Sequence, residues 1–134
     1  MFVKGQFYTK HDIYKVLNVP SEKQRGAWDK GYRSYEGNIF IFSNIGIPGR
    51  TGHDYNNYWE GELFIWEATH QSHINQPQIR RMINPPLGQK IFLFTRTDDR
   101  SPFTFEGNII AKEYFDTTPV KIVWKIDPND IGLE

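Results

Sequence analysis

Residues 44–66, NIGIPGRTGHDYNNYWEGELFIW, constrain this chain more than any other stretch. Gly46, Gly49, Gly52, Gly61 and Pro48 interrupt it, and its apolar residues follow no 3.6-residue period, so it is not a helix. It also carries Tyr55, Tyr58, Trp59 and Trp66, too much aromatic surface for a solvated linker. A long ordered loop that runs into a strand satisfies both observations. Such loops are uncommon in compact chains unless they serve a function. The rest of the sequence must then supply a frame that holds this loop.

The frame reads as strands with two short helices. Lys4–Tyr8 opens as a short strand. Thr9 then stands at an N-cap position with Asp12 three residues on, a capping-box spacing. Ile13, Val16 and Leu17 share one helical face, and Asn18 to Pro20 stop the helix. Ser21–Gly37 is polar and glycine-punctuated, a loop with an irregular strand near Gly31–Tyr35. Asn38–Asn44 (NIFIFSN) and Glu62–Thr69 (ELFIWEAT) are apolar runs without alternation, which predicts strands covered on both faces. His70–Ile74 is a polar turn. Pro77 suits the first turn of a second helix, with Ile79, Met82 and Ile83 as its buried stripe and Asn84 to Pro86 as its end. Lys90–Arg96, Phe103–Tyr114 and Val120–Ile126 complete the set of five or six strands, with Thr97–Pro102 as a hairpin loop. Gly107, inside a strand, predicts a bulge or a sharp bend. The expected fold class is α+β: a small curved mixed β-sheet or barrel with two short helices, residues 1–134 forming a single domain.

Composition narrows the function. Lys plus Arg and Asp plus Glu are balanced at 16 each, so attraction to nucleic acid has to come from a local patch rather than a bulk field. With no cysteine there is no disulfide scaffold, thiol nucleophile or cysteine-ligated zinc site. No run approaches the roughly 18 apolar residues of a membrane span, and the N-terminus lacks a signal-peptide pattern, so a soluble cytoplasmic protein without membrane partners is expected. The 10 Phe, 7 Tyr and 4 Trp are the unusual feature. Most belong in an aromatic β-rich core, and a few suit a stacking pocket for a planar ligand.

Candidate site residues concentrate in the opening stretch. Gly49-Arg50-Thr51-Gly52 can turn backbone N–H groups toward an anion, with Arg50 as a planar fork for phosphate. Asp54, Asn56 and Asn57 can match the edge of a base, and Tyr55, Tyr58, Trp59 and Trp66 can wall it in. Arg80 and Arg81 on the second helix, with Lys90, Arg96 and Arg100, offer a positive rim that positions a nucleic acid without reading it. His53, Asp54, His70 and His73 are possible metal ligands, but two histidines in one turn do not make a zinc-finger spacing, and no His-Glu-x-x-His or nucleophile elbow occurs. No metal or cofactor is expected.

The order of these segments resembles a known module. YTKHDIYKVLNV, Gly31-Tyr32, IFIFSN, the loop from Gly52 to Trp59, ELFIWEA, QPQIRRMI, KIFLFTR, FTFEGNI and TPVKIVW follow the pattern of an uncharacterised domain. It stands at the C-terminus of some DEAD/DEAH-box helicases linked to restriction and phage defence. The resemblance covers residues 7–126. More distantly the chain is similar to PUA-like and SRA-like barrels, which bind nucleic acid and in some cases flip a modified base into an aromatic pocket. The resemblance implies a non-enzymatic, PUA/SRA-like module that reads nucleic acid, DNA ahead of RNA, through a modified base. In that reading Asp54, Tyr55, Asn56, Trp59 and Trp66 form the base pocket, and Arg50, Thr51, Arg80 and Arg81 hold phosphates. These 134 residues carry no motor or nuclease motif, so any cutting or translocation belongs to a helicase or nuclease acting in trans, or does not occur. The alternatives are a small metal-dependent nuclease using His53 and Asp54 with His70 or His73, and a module that binds protein or a small molecule through the same rings.

Overall fold

The computed structural model describes residues 1–45 and 57–130. In chain order its elements are β1 (Phe7–Tyr8), α1 (Lys10–Leu17), β2 (Tyr32–Tyr35), β3 (Asn38–Asn44), β4 (Tyr58–Glu60), β5 (Leu63–Glu67), α2 (Pro77–Ile83), β6 (Ile91–Arg96), β7 (Phe103–Phe115) and β8 (Lys121–Ile126). Two short 3₁₀ turns, Ser21–Lys23 and Gly26–Asp29, lie between α1 and β2. The fold is α+β, as the periodicity predicts.

Local sequence explains both helices. Thr9 accepts from the Asp12 amide while the Asp12 carboxylate accepts from the Thr9 amide, a complete capping box. The helix stops at Asn18, which takes the left-handed conformation that asparagine tolerates. In α2, Pro77 occupies the first turn, and Ile79 and Met82 are fully buried.

The strands form one sheet in the order β2-β3-β6-β7-β8-β5-β4, with β1 on the edge of β7. Among the described strands only β3 and β6 run parallel, and the chain between them makes β4, β5 and α2. The sheet curls strongly. Tyr32 on β2 reaches Trp66 on β5, ring centroids 5.6 Å apart, and its hydroxyl shares a hydrogen bond with Thr69 at 2.8 Å. The first strand of the order thus meets the one next to its far end through side chains.

This curvature makes two cores. The concave face holds Ile39, Ile41, Ile91, Leu93, Ile109, Ile122, Phe64, Trp66 and Trp124, closed by Ile79 and Met82 of α2. The convex face carries a phenylalanine layer, with Phe40 stacked on Phe92 at 5.0 Å and Phe42 on Phe94 at 5.4 Å. Phe2, Ile13, Tyr14 and Trp28 from the N-terminal arm, α1 and the second 3₁₀ turn cover that layer. Successive residues of β3 and β6 therefore enter opposite cores, which is why their sequences are apolar throughout. Lys10, on the convex side, donates to the Trp28 carbonyl and lies 4.3 Å from the Phe42 ring centroid. Burial pushes its ammonium below the ordinary value, and Asp29 offsets part of the shift.

Two irregularities in β7 bend the sheet. Leu93 pairs with Gly107 and Phe94 with Phe105, leaving Glu106 as an extra residue. Ala111 pairs with Trp124 and Glu113 with Val123, leaving Lys112 as another. The first bulge lets Phe103 and Phe105 face the convex core while Ile109 faces the concave one.

Candidate nucleic-acid interface

Arg50, Thr51, His53, Asp54, Tyr55 and Asn56 lie outside the described residues. The structure places the other predicted residues as follows. Asn57 is tied to the frame, its side-chain oxygen accepting from the Glu67 amide at 2.9 Å. Trp59 sits on β4, half-buried, its ring 5.0 Å from Phe64. Phe64 in turn faces Trp124 across the β5–β8 pair, and Trp124 lies 5.9 Å from Trp66. These rings form a continuous row along the concave face, ending at Tyr32. Trp66, expected in the pocket wall, is 2% exposed and packs between Tyr32 and Trp124. It is a core ring that backs the row rather than a free stacking surface.

Trp59 also lines a cleft of about 510 Å³ with Glu62, Leu63, Lys112, Lys125 and Ile126. The lining thus combines an indole with two lysines and a glutamate, residue types that can stack a planar ring, neutralise a phosphate and accept from an amino group. Lys112 reaches this cleft as the second bulged residue of β7, so its place depends on strand register and not on any local motif. Lys112 and Lys125 were not singled out from the sequence.

A polar row interrupts the otherwise apolar concave face. Ser43 and Thr95 face each other across the parallel pair, and both are 2% exposed. Thr95 donates to Glu106, the first bulged residue, at 2.5 Å, while the buried Ser43 hydroxyl has no partner. Gly107 signals the bulge in the sequence, but which side chain it re-aims depends on register.

Of the two arginines predicted on α2, Arg80 is exposed, while Arg81 donates to the Ser34 hydroxyl at 3.1 Å and lines a groove beside β2. His70 and His73 are exposed, and among the described residues no three His, Cys, Asp or Glu side chains cluster as a metal site. The nuclease alternative would draw on His53 and Asp54, outside the described residues.

No family model matches the sequence, and no curated protein matches it. Solved structures do share its fold. The SRA domain of SUVH5, crystallised with hemimethylated CG DNA, superposes with a TM-score of 0.60 at 12% identity, covering 100% of this chain and 94% of that one. The DNA modification-dependent restriction endonuclease AspBHI gives 0.58 at 16% identity, covering 97% of this chain and 78% of the other. The modification-dependent restriction endonuclease TagI gives 0.51 at 11% identity, covering 95% of this chain and 50% of the other. The chain therefore has an SRA-like fold. Among the described residues no helix is long and apolar enough to cross a membrane.

Proposed function

We propose that this chain is a reader module that binds DNA and recognises a modified base, in a restriction or defence setting. The observation that carries the reading is the fold correspondence over the whole chain with an SRA domain bound to hemimethylated DNA. The same domain has also been crystallised with methylated CHH DNA. Two modification-dependent restriction endonucleases with this fold support the setting.

In this reading Trp59 and Tyr55 stack on an extruded base, and Trp66 buttresses the row behind them. Asp54 and Asn56 contact the base edge, and Arg50, Thr51, Arg80 and Arg81 hold phosphates. Extrusion costs a few kcal/mol, and each stacked ring returns about 1–3 kcal/mol, so two rings and several phosphate contacts balance it. The module works as a single cytoplasmic domain without catalysis of its own. A helicase or nuclease in trans, in keeping with the helicase-linked resemblance, acts on what it marks.

Fluorescence anisotropy with matched duplexes, modified and unmodified, tests this directly. The modified duplex should bind more tightly. Trp59→Ala should weaken it about tenfold or more while the protein stays folded by circular dichroism. Equal affinity for both duplexes would end the reader proposal. Magnesium-dependent cleavage lost in His53→Ala would replace it with the nuclease.

A further inference from the structure

Between β2 and the start of α2 lies an open groove of about 610 Å³. Lys30, Arg33 and Arg81 line it, and among the described residues no carboxylate does. Asp29, the acid next to Lys30 in sequence, acts instead on Lys10 and Tyr14 of the convex side. The groove is pre-organised rather than a scatter of surface charge. Ser34 accepts from both Gln78, at 2.8 Å, and Arg81, at 3.1 Å, so one hydroxyl holds two α2 side chains against β2. Arg33 borders the groove along β2, but its guanidinium turns to the opposite face of the strand, 5.1 Å over the Trp28 ring of the convex core. The Tyr32–Thr69 hydroxyl pair also lines the groove, and the Tyr32 ring leans on Trp66 at the end of the aromatic row.

We propose that this groove seats the phosphodiester backbone of the bound nucleic acid, with Lys30 and Arg81 as contacts and Ser34 as the positioning residue for Arg81. A planar guanidinium held at fixed orientation suits the tetrahedral phosphate oxygens, and the Tyr32 and Thr69 hydroxyls add neutral donors. A backbone seated here runs beside Tyr32 and so lies next to the aromatic row of the concave face. The inference rests on the nucleic-acid reading but not on recognition of a modification, because backbone contacts carry no sequence information.

The test uses a short thymidine oligonucleotide and its uncharged methylphosphonate analogue, with binding followed across a salt series. The wild type should bind the phosphodiester and not the analogue. Lys30→Gln and Arg81→Gln should each lower the slope of log affinity against log salt by about 0.7, the single-strand value per contact. Ser34→Ala should weaken binding severalfold with little change in slope, because it removes the orientation of Arg81 and not its charge. Arg81→Lys should fail to restore wild-type affinity. Wild-type slopes in both glutamine variants, equal binding of the analogue, equal binding of a polyglutamate peptide, or no binding of the oligonucleotide would each overturn the assignment. A wild type that binds the oligonucleotide with these slopes, yet treats modified and unmodified duplexes alike, would sink the reader proposal and leave the groove standing.

Discussion

Single residues show where the chain carries unfavourable terms. The Ser43 hydroxyl is buried without a partner on a face of isoleucine and leucine, and an unmet buried polar group costs about 1–3 kcal/mol. Ser43→Ala should therefore raise stability by about 1 kcal/mol, read as a higher urea midpoint at unchanged m-value. A lower midpoint would show that the hydroxyl is satisfied in solution. Gly107 is the opposite case. Its φ of +123° is unfavourable for any other residue, and an added Cβ would lie 2.8 Å from an Asp130 carboxylate oxygen and 3.1 Å from Lys4 Cε. Asp130 also accepts from the Asn108 amide at 2.6 Å, which fixes the crowding atom in place. Gly107→Ala should cost about 2 kcal/mol or more in the same measurement. An unchanged midpoint would mean that the bulge relaxes freely. The sequence marks Gly107 as special, but nothing local to Ser43 marks it, because its burial comes from strands far away in the chain.

At the scale of elements, the capping box of α1 makes the clearest claim. Thr9→Ala should cost about 1 kcal/mol, measured by thermal or urea unfolding. The Thr9 amide and hydroxyl hold the Asp12 carboxyl below its ordinary value of 3.8. A depressed folded pKa means that this contribution is fully present above the ordinary value and is lost as pH falls through the folded one. The variant that tests this is Asp12→Ala: its stability gap to the wild type should narrow as acid protonates the Asp12 carboxyl, and a gap that stays constant into acid would contradict the linkage. Elements whose cause is local were legible in advance: both helices, β3 over its full length, β6, β8 and the bend in β7. β4 was not. Its three residues have no strand signature and become a strand by pairing with β5 through the Gly61 turn. Likewise Ser21–Gly37 reads as a loop with an irregular strand near its end, which β2 bears out, while the second 3₁₀ turn that carries Trp28 into the convex core has no local signal.

For the whole molecule, charge balance sets how binding should respond to salt. With a formal net charge of zero, the proposed affinity for DNA would have to come from local cations, chiefly Lys112 and Lys125 at one cleft and Lys30 and Arg81 at the groove. Raising salt should weaken modified and unmodified duplexes alike, by about 0.9 log units per tenfold salt for each phosphate contact. The ratio between them should stay constant, because stacking on Trp59 is not screened. A ratio that collapses with salt would place discrimination in the charges instead. The sequence by itself determined the α+β class, the helix caps, the apolar strands and the aromatic excess, because capping, turn chemistry and periodicity act over a few residues. Only the tertiary structure decided which rings are core and which line a cleft. Trp59 and Trp66 look alike in sequence, and the curl that brings Tyr32 against Trp66 buries one while the sheet edge leaves the other half open. The same holds for the cations: Lys30 and Arg81 converge through the approach of β2 and α2, and Lys112 reaches its cleft through a register slip. Exposure and convergence are sums over distant segments, and no local pattern of residues contains them.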